Sequence, residues 1–153
     1  MNLIQAEINK LLDLFNQGLF GEVLRKSGHL IKEFPAEKFI VKLQGVCHME
    51  LNEFFLAEKK FKEFLVLDKN DPEIFNNLGI LFHRQFQYQK SLTNFRKAIS
   101  LDKNYFNAFN NLGCLFRDFG LFNEAIKTYR DGLVINQENV ELHQNLSHCL
   151  LIT

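Results

Sequence analysis

The residues of this chain best suited to chemistry are two cysteine–histidine neighbours, Cys47-His48 and His148-Cys149, with Cys114 as a third thiol. Successive residues on a helix point about 100° apart, so neither pair converges on one ion. No CxxC or HxxxH spacing completes a set of metal ligands. No metal site and no cofactor are therefore expected. Lys59, Lys60 and Lys62 form a basic cluster, but Glu58 and Glu63 flank it and the formal net charge is zero. A solvated helix face accounts for the cluster better than a nucleic-acid patch. The chain also lacks a glycine-rich phosphate loop, a nucleophile elbow and a strand that could carry paired catalytic carboxylates. No catalytic residue is predicted, and the chain is not read as an enzyme.

What does recur is asparagine. The pentapeptide FNNLG stands at Phe75 to Gly79 and again at Phe109 to Gly113, and HQNLS follows at His143 to Ser147, each 34 residues after the last. A primary amide offers donors and an acceptor together, so amides at a fixed interval could bond the main chain of an extended peptide without reading its side chains. Such amides need elements that repeat at the same interval.

The 34-residue register supplies them. It aligns Phe20, Phe54, Tyr88 and Phe122 in one aromatic column, and Ile31, Leu65, Ile99 and Leu133 in one aliphatic column. A fixed period of this size marks supersecondary units that bury their apolar faces only by stacking on one another. Within each unit the spacing is helical, as in Phe75, Leu78 and Phe82 or Leu92, Phe95 and Ile99. Breaks fall at Asn16-Gln17-Gly18, Leu51-Asn52, Phe86-Gln87 and Phe119-Gly120, while Asp71-Pro72 reads as an N-cap followed by proline at the first helical position. Helices are predicted at 2–16, 20–34, 37–51, 54–67, 72–85, 88–101, 106–119, 122–135 and 140–152. That is four helical hairpins and one further helix.

The pattern resembles the tetratricopeptide repeat. It falls on Phe75, Leu78, Gly79, Phe82, Ser91, Phe95 and Ala98 in one unit, and on Phe109, Leu112, Gly113, Phe116, Ala125, Tyr129 and Gly132 in the next. The resemblance implies an all-α, right-handed superhelical solenoid of antiparallel helix pairs. It implies one domain over 1–153, with repeats at 4–37, 38–71, 72–105 and 106–139 and a partial or capping helix at 140–153. Lys103 and Gln137 replace the family's proline. The second unit puts Gln44 at the leucine position and Phe64 where a small residue belongs, so looser or shifted packing is expected there. The first unit has Leu11 at the glycine position. Gly45, Gly79 and Gly113 each sacrifice about 1 kcal/mol of helix propensity, and close approach of the partner helix is the expected return. Ala57, Ser91 and Ala125 supply small matching surface, the phenylalanines fill the space between successive units, and Cys47 and Cys149 fall at one core-facing column.

In this family the first helix of each pair lines the concave face. The resemblance therefore makes Asn76, Asn77, His83 and Arg84, Asn107, Asn110, Asn111 and Arg117, and Asn145 candidates for contact with a peptide or protein partner, with Lys42 in the second unit. Asn77, Asn111 and Asn145 share a column that Leu43 interrupts and Asn9 resumes. Replacing Asn77 and Asn111 is expected to weaken binding while barely changing stability. The arrangement also resembles the asparagine-lined arrays of O-GlcNAc transferases and the repeats that precede bacterial glycosyltransferase and sulfotransferase domains. That likeness implies an alternative role as the non-catalytic front of a larger transferase, presenting acceptor proteins or mediating self-association. Against the co-chaperone carboxylate clamp, Lys42 and Asn77 agree whereas Val46, Asn107 and Asn111 depart, so recognition of a terminal carboxylate is not expected.

The remaining expectations concern setting. The start, MNLIQAEINK, lacks the apolar core of a secretory signal, no run reaches membrane-spanning length, and three cysteines are an odd number. A cytoplasmic protein is expected, with no nucleic-acid or membrane partner. The apolar ending SHCLLIT makes the last helix a candidate for pairing two chains into a homodimer.

Overall fold

The computed structural model describes residues 3–35 and 37–152. Among them are nine α-helices and no strands: α1 (Leu3–Asn16), α2 (Phe20–Glu33), α3 (Lys38–Glu50), α4 (Phe54–Leu67), α5 (Pro72–Arg84), α6 (Tyr88–Leu101), α7 (Phe106–Asp118), α8 (Phe122–Ile135) and α9 (Val140–Ile152). Predicted and observed ends differ by a residue or so, because capping residues flank a helix without belonging to it. Glu37 and Leu51 bracket α3 in this way, and Asn2 lies outside the described residues. At α5 the Asp71 carboxylate accepts from the backbone N–H groups of Glu73 and Ile74 at 2.8 and 3.2 Å, with Pro72 in the first turn. The sequence signal and the cap coincide.

The chain divides into two compact units, Met1–Lys69 and Asn70–Thr153. In the first, α1 to α4 pack in sequence, and Leu11, Val23, Leu43 and Cys47 form a buried cluster. In the second, α5 to α9 pack in sequence, and α5, α7 and α9 also touch one another in order. Phe95, Leu115, Tyr129, Leu142 and Cys149 are central to that core.

Each glycine of the repeat lies under an aromatic ring from its own second helix. A Cβ at Gly79 would stand 2.5 Å from ring carbons of Phe95, and Gly45 and Gly113 meet Phe61 and Tyr129 in the same way. Ser91 tightens the contact by donating to the Gly79 carbonyl at 2.8 Å. These aromatics thus fill space inside their own hairpin as well, while Phe95 also shares a buried cluster with Leu112 and Phe116 of the following one. Three phenylalanines also depart from the core: Phe55, Phe86 and Phe119 are exposed.

The second hairpin is not loosened by its unusual residues. Phe64 is buried, and Gly45 is as tightly covered as its counterparts. Gln44, 4% exposed, donates through Nε2 to Ser27 Oγ at 3.0 Å, and Ser27 donates to the Leu24 carbonyl. Ser27 occupies the column of Phe61, Phe95 and Tyr129, so a polar pair stands at the columns where Phe95 and Leu112 belong to one apolar cluster. The Gln44 Oε1 has no hydrogen-bond partner.

All four hairpin turns place one residue in the left-handed region, at Gly18, Asn52, Phe86 and Gly120, again 34 residues apart. Glycine and asparagine tolerate that conformation, whereas a bulky side chain is strained in it. Phe86 has φ of 58° and is 85% exposed, so its ring recovers little by burial. Phe86→Gly is expected to raise stability by up to about 1 kcal/mol, read as a higher urea midpoint with an unchanged slope.

Candidate functional site

In the second unit α5 and α7 are the first helices of successive hairpins and α9 takes the same place after them, and their polar residues meet across the helix boundaries. Asn111 donates through Nδ2 to Asn76 Oδ1 at 2.9 Å, and one repeat later Asn145 donates through Nδ2 to Asn110 Oδ1, also at 2.9 Å. The two asparagines of FNNLG therefore have different duties. The first accepts from the following hairpin, and the second donates to the preceding one.

This separates the predicted set. Asn76 and Asn110 are 4% and 6% exposed, and Asn77 is also buried, so these three do not stand out as free surface amides. Asn111 and Asn145 are half-buried, and Asn107 and Arg84 are exposed. Lys42 belongs to the first unit, where it is half-buried on α3. In that unit the amide at the far end of the column, Asn9, accepts from Gln5 on its own helix at 3.1 Å.

The orientation of the last amide follows from its neighbours. Arg117 donates through Nη1 to Asn145 Oδ1 at 3.1 Å. A guanidinium has no acceptor, so the carbonyl side of Asn145 must face it, leaving the NH2 side for Asn110 and, at 3.8 Å, Cys114 Sγ. His83 sits one repeat before Arg117, but it turns instead to Asp118, with Nε2 and Oδ2 3.1 Å apart. Arg117 Nε reaches the other Asp118 oxygen at 3.1 Å. Asn111 Oδ1, the counterpart of the acceptor that Arg117 occupies, takes no hydrogen bond among the described residues. The face thus offers one oriented acceptor beside a His83–Asp118–Arg117 chain.

A residue expected only to pack joins this network from behind. Tyr129, on α8, donates its hydroxyl to Cys114 Sγ at 3.5 Å. The equivalent pairs are Phe61 with Val46 and Phe95 with Ile80. A hydroxyl and a thiol arriving together in one repeat was the available signal. Burial raises the Cys114 thiol above its ordinary value, partly offset by the Tyr129 hydrogen bond and the Arg117 charge, so it remains a thiol at neutral pH. Cys47 and Cys149 are fully buried, and no group of three His, Cys, Asp or Glu side chains that could hold a metal exists among the described residues.

Burial pushes Cys47 up to about 12 from an ordinary 9.0, with Glu50 adding to the rise. The folded thiol therefore keeps its proton while the unfolded thiol ionises. Its contribution is present below the unfolded value and fades as pH climbs toward the folded one, by up to about tenfold in the folding equilibrium per pH unit. Urea midpoints should fall between pH 9 and 11, and Cys47→Ala should flatten part of that fall.

Two family models described as tetratricopeptide repeat match residues 72–105 and 106–139, the bounds that the 34-residue register gives. No curated protein matches the chain in sequence. Among solved structures it is similar to that of MamA protein, with 21% identity, a TM-score of 0.75, and coverage of 95% of this chain and 79% of that one. It is also similar to pilF of Pseudomonas aeruginosa, at 17% identity and a TM-score of 0.84, covering 96% of this chain and 67% of that one. The first TPR of Spaghetti (RPAP3), bound to the HSP90 peptide SRMEEVD, superposes at a TM-score of 0.69 with 17% identity, covering 76% of this chain and 92% of that one. At these identities the likeness is one of fold. No helix among the described residues is long and apolar enough to cross a membrane.

Proposed function

The chain carries tetratricopeptide repeats in an all-helical array, and from the polarity of its amide pairs we propose that it is a non-catalytic binding module holding an extended peptide segment against α5, α7 and α9. The observation that carries this reading is the acceptor on Asn111, held in one orientation by its bond to Asn76 and unmatched by any donor of the described chain. A backbone N–H of an extended segment suits it. Asn107, one turn before it on α7, and Arg84, at the end of α5, are exposed polar groups of the same helices, and Arg117, His83 and Asn145 complete the polar floor. The Spaghetti domain, similar in fold, has a peptide in its structure. A main-chain acceptor predicts tolerance of different side chains, unlike a clamp for a terminal carboxylate.

The amide pairing also changes what substitution should do. Asn111→Ala leaves Asn76 Oδ1 buried without a donor, which costs about 1–3 kcal/mol, so the expectation of unchanged stability does not survive. Binding is best tested with a phage-displayed library of random peptides about ten residues long, longer than the roughly 20 Å that three adjacent helices span. Selected peptides should bind the wild type, lose affinity about tenfold when one central amide is N-methylated, and bind folded Asn111→Ala equally weakly. Failure to select any peptide, or binding indifferent to both changes, overturns the proposal.

A further inference from the structure

The exposed face of α4 reads the same in both directions. Phe55, Glu58, Lys59, Lys62, Glu63 and Val66 form one stripe beside a surface concavity of about 430 Å³, in the order apolar, acid, base, base, acid, apolar. The spacings are symmetric about the midpoint between Lys60 and Phe61. Phe55 is 80% exposed and Val66 77%, although the column of Phe55 holds Gly21, Gln89 and Asn123 in the other second helices. A large aromatic exposed where its equivalents are small or polar contributes little to this fold.

We propose that this stripe is a self-association surface that takes a second copy of the same chain, α4 against α4 and antiparallel. An isologous two-fold contact sets residue i against residue j twice over, so a stripe symmetric about one point presents its two apolar ends to each other, and the flank each charge occupies decides which charges meet. With 100° per residue, Phe55 and Val66 lie near the centre line of the stripe, Glu58 and Lys62 on one flank, and Lys59 and Glu63 on the other. Turning the helix over about the midpoint sets Phe55 opposite Val66 of the second copy. It also brings Glu58 within one residue's rise of the opposing Lys62, and Lys59 within the same offset of the opposing Glu63, each pair occurring twice. The like-charged alternatives fall on opposite flanks. Glu58 and Lys62 already pair within the helix at 2.7 Å, so both heads are held near the flank where a second copy would meet them. Exposed ion pairs contribute little net affinity, so the apolar ends supply the attraction and the charges set register and direction.

The test is sedimentation of the full chain from about 1 μM to about 1 mM, the span in which weak pairing is resolved. A monomer–dimer equilibrium is expected. Phe55→Glu should weaken it about 30-fold or more while leaving the melting temperature in place, since the ring is exposed in the single chain. Lys59→Glu with Lys62→Glu should abolish dimerisation, and adding Glu58→Lys with Glu63→Lys, which restores the pattern with its signs reversed, should bring it back. A monomer at every concentration overturns the proposal, as does a dimer indifferent to Phe55→Glu. A dimer that dissociates only with Leu151→Glu does so as well, by placing the contact on α9.

Discussion

Phe95→Ala is expected to destabilise the second unit by about 3–5 kcal/mol, because burial is lost and a cavity is left that the surrounding helices cannot close. The ring has no exposed surface, lies on the backbone of Gly79 and belongs to the same buried cluster as Leu112 and Phe116. Collapse onto the smaller side chain would require α5 and α6 to move together, and Ser91 already holds them through the Gly79 carbonyl. The measurement is urea denaturation followed by helical circular dichroism, with Phe86→Ala as a comparison that removes an equally large but exposed ring. A loss below about 1 kcal/mol for Phe95→Ala, no greater than an ordinary surface change, would contradict this packing.

Gly79→Leu should be as severe, and more instructive. A single Cβ there already meets the Phe95 ring at 2.5 Å, so a whole leucine side chain should cost at least about 3 kcal/mol, the upper end of ordinary overpacking. The first hairpin shows how the chain resolves the same conflict. Leu11 stands at the glycine position and is buried, and Ser27, also buried, stands at the aromatic position. In the 34-residue register, large and small have exchanged columns. Gly79→Leu combined with Phe95→Ser should therefore be less damaging than the sum of the single changes, with a coupling of about 1–3 kcal/mol in a double-mutant cycle. Additive losses would mean that the exchange at Leu11 and Ser27 has no bearing on packing. The polar pair of Ser27 and Gln44 belongs to the same exchange, because removing the ring from α2 leaves a hydroxyl to which the Gln44 amide can donate.

The order of helices, their ends and the hairpin register were legible along the chain because they rest on local rules. A 3.6-residue apolar rhythm, the cap at Asp71 and the left-handed turn residues each act over a few positions. Glycine in the middle of α5 and α7 announced a close approach in the same way. The identity of the group that approaches was not local, and the structure assigns it to the aromatic sixteen residues on.

The candidate site was legible as a column of residue types but not as chemistry. Repetition alone placed Asn76 and Asn77, Asn110 and Asn111, and Asn145 on first helices, and gave them one common role. Whether an amide faces a ligand or a neighbouring helix depends on distances across helix boundaries, which side-chain packing sets and spacing along the chain does not. Tertiary structure buried Asn76 and Asn110 as acceptors for the next repeat, fixed Asn145 through Arg117, and left the Asn111 oxygen without a hydrogen bond among the described residues. Sequence determined which groups are present at each rung, and packing of one hairpin on the next decided which of their atoms remain available.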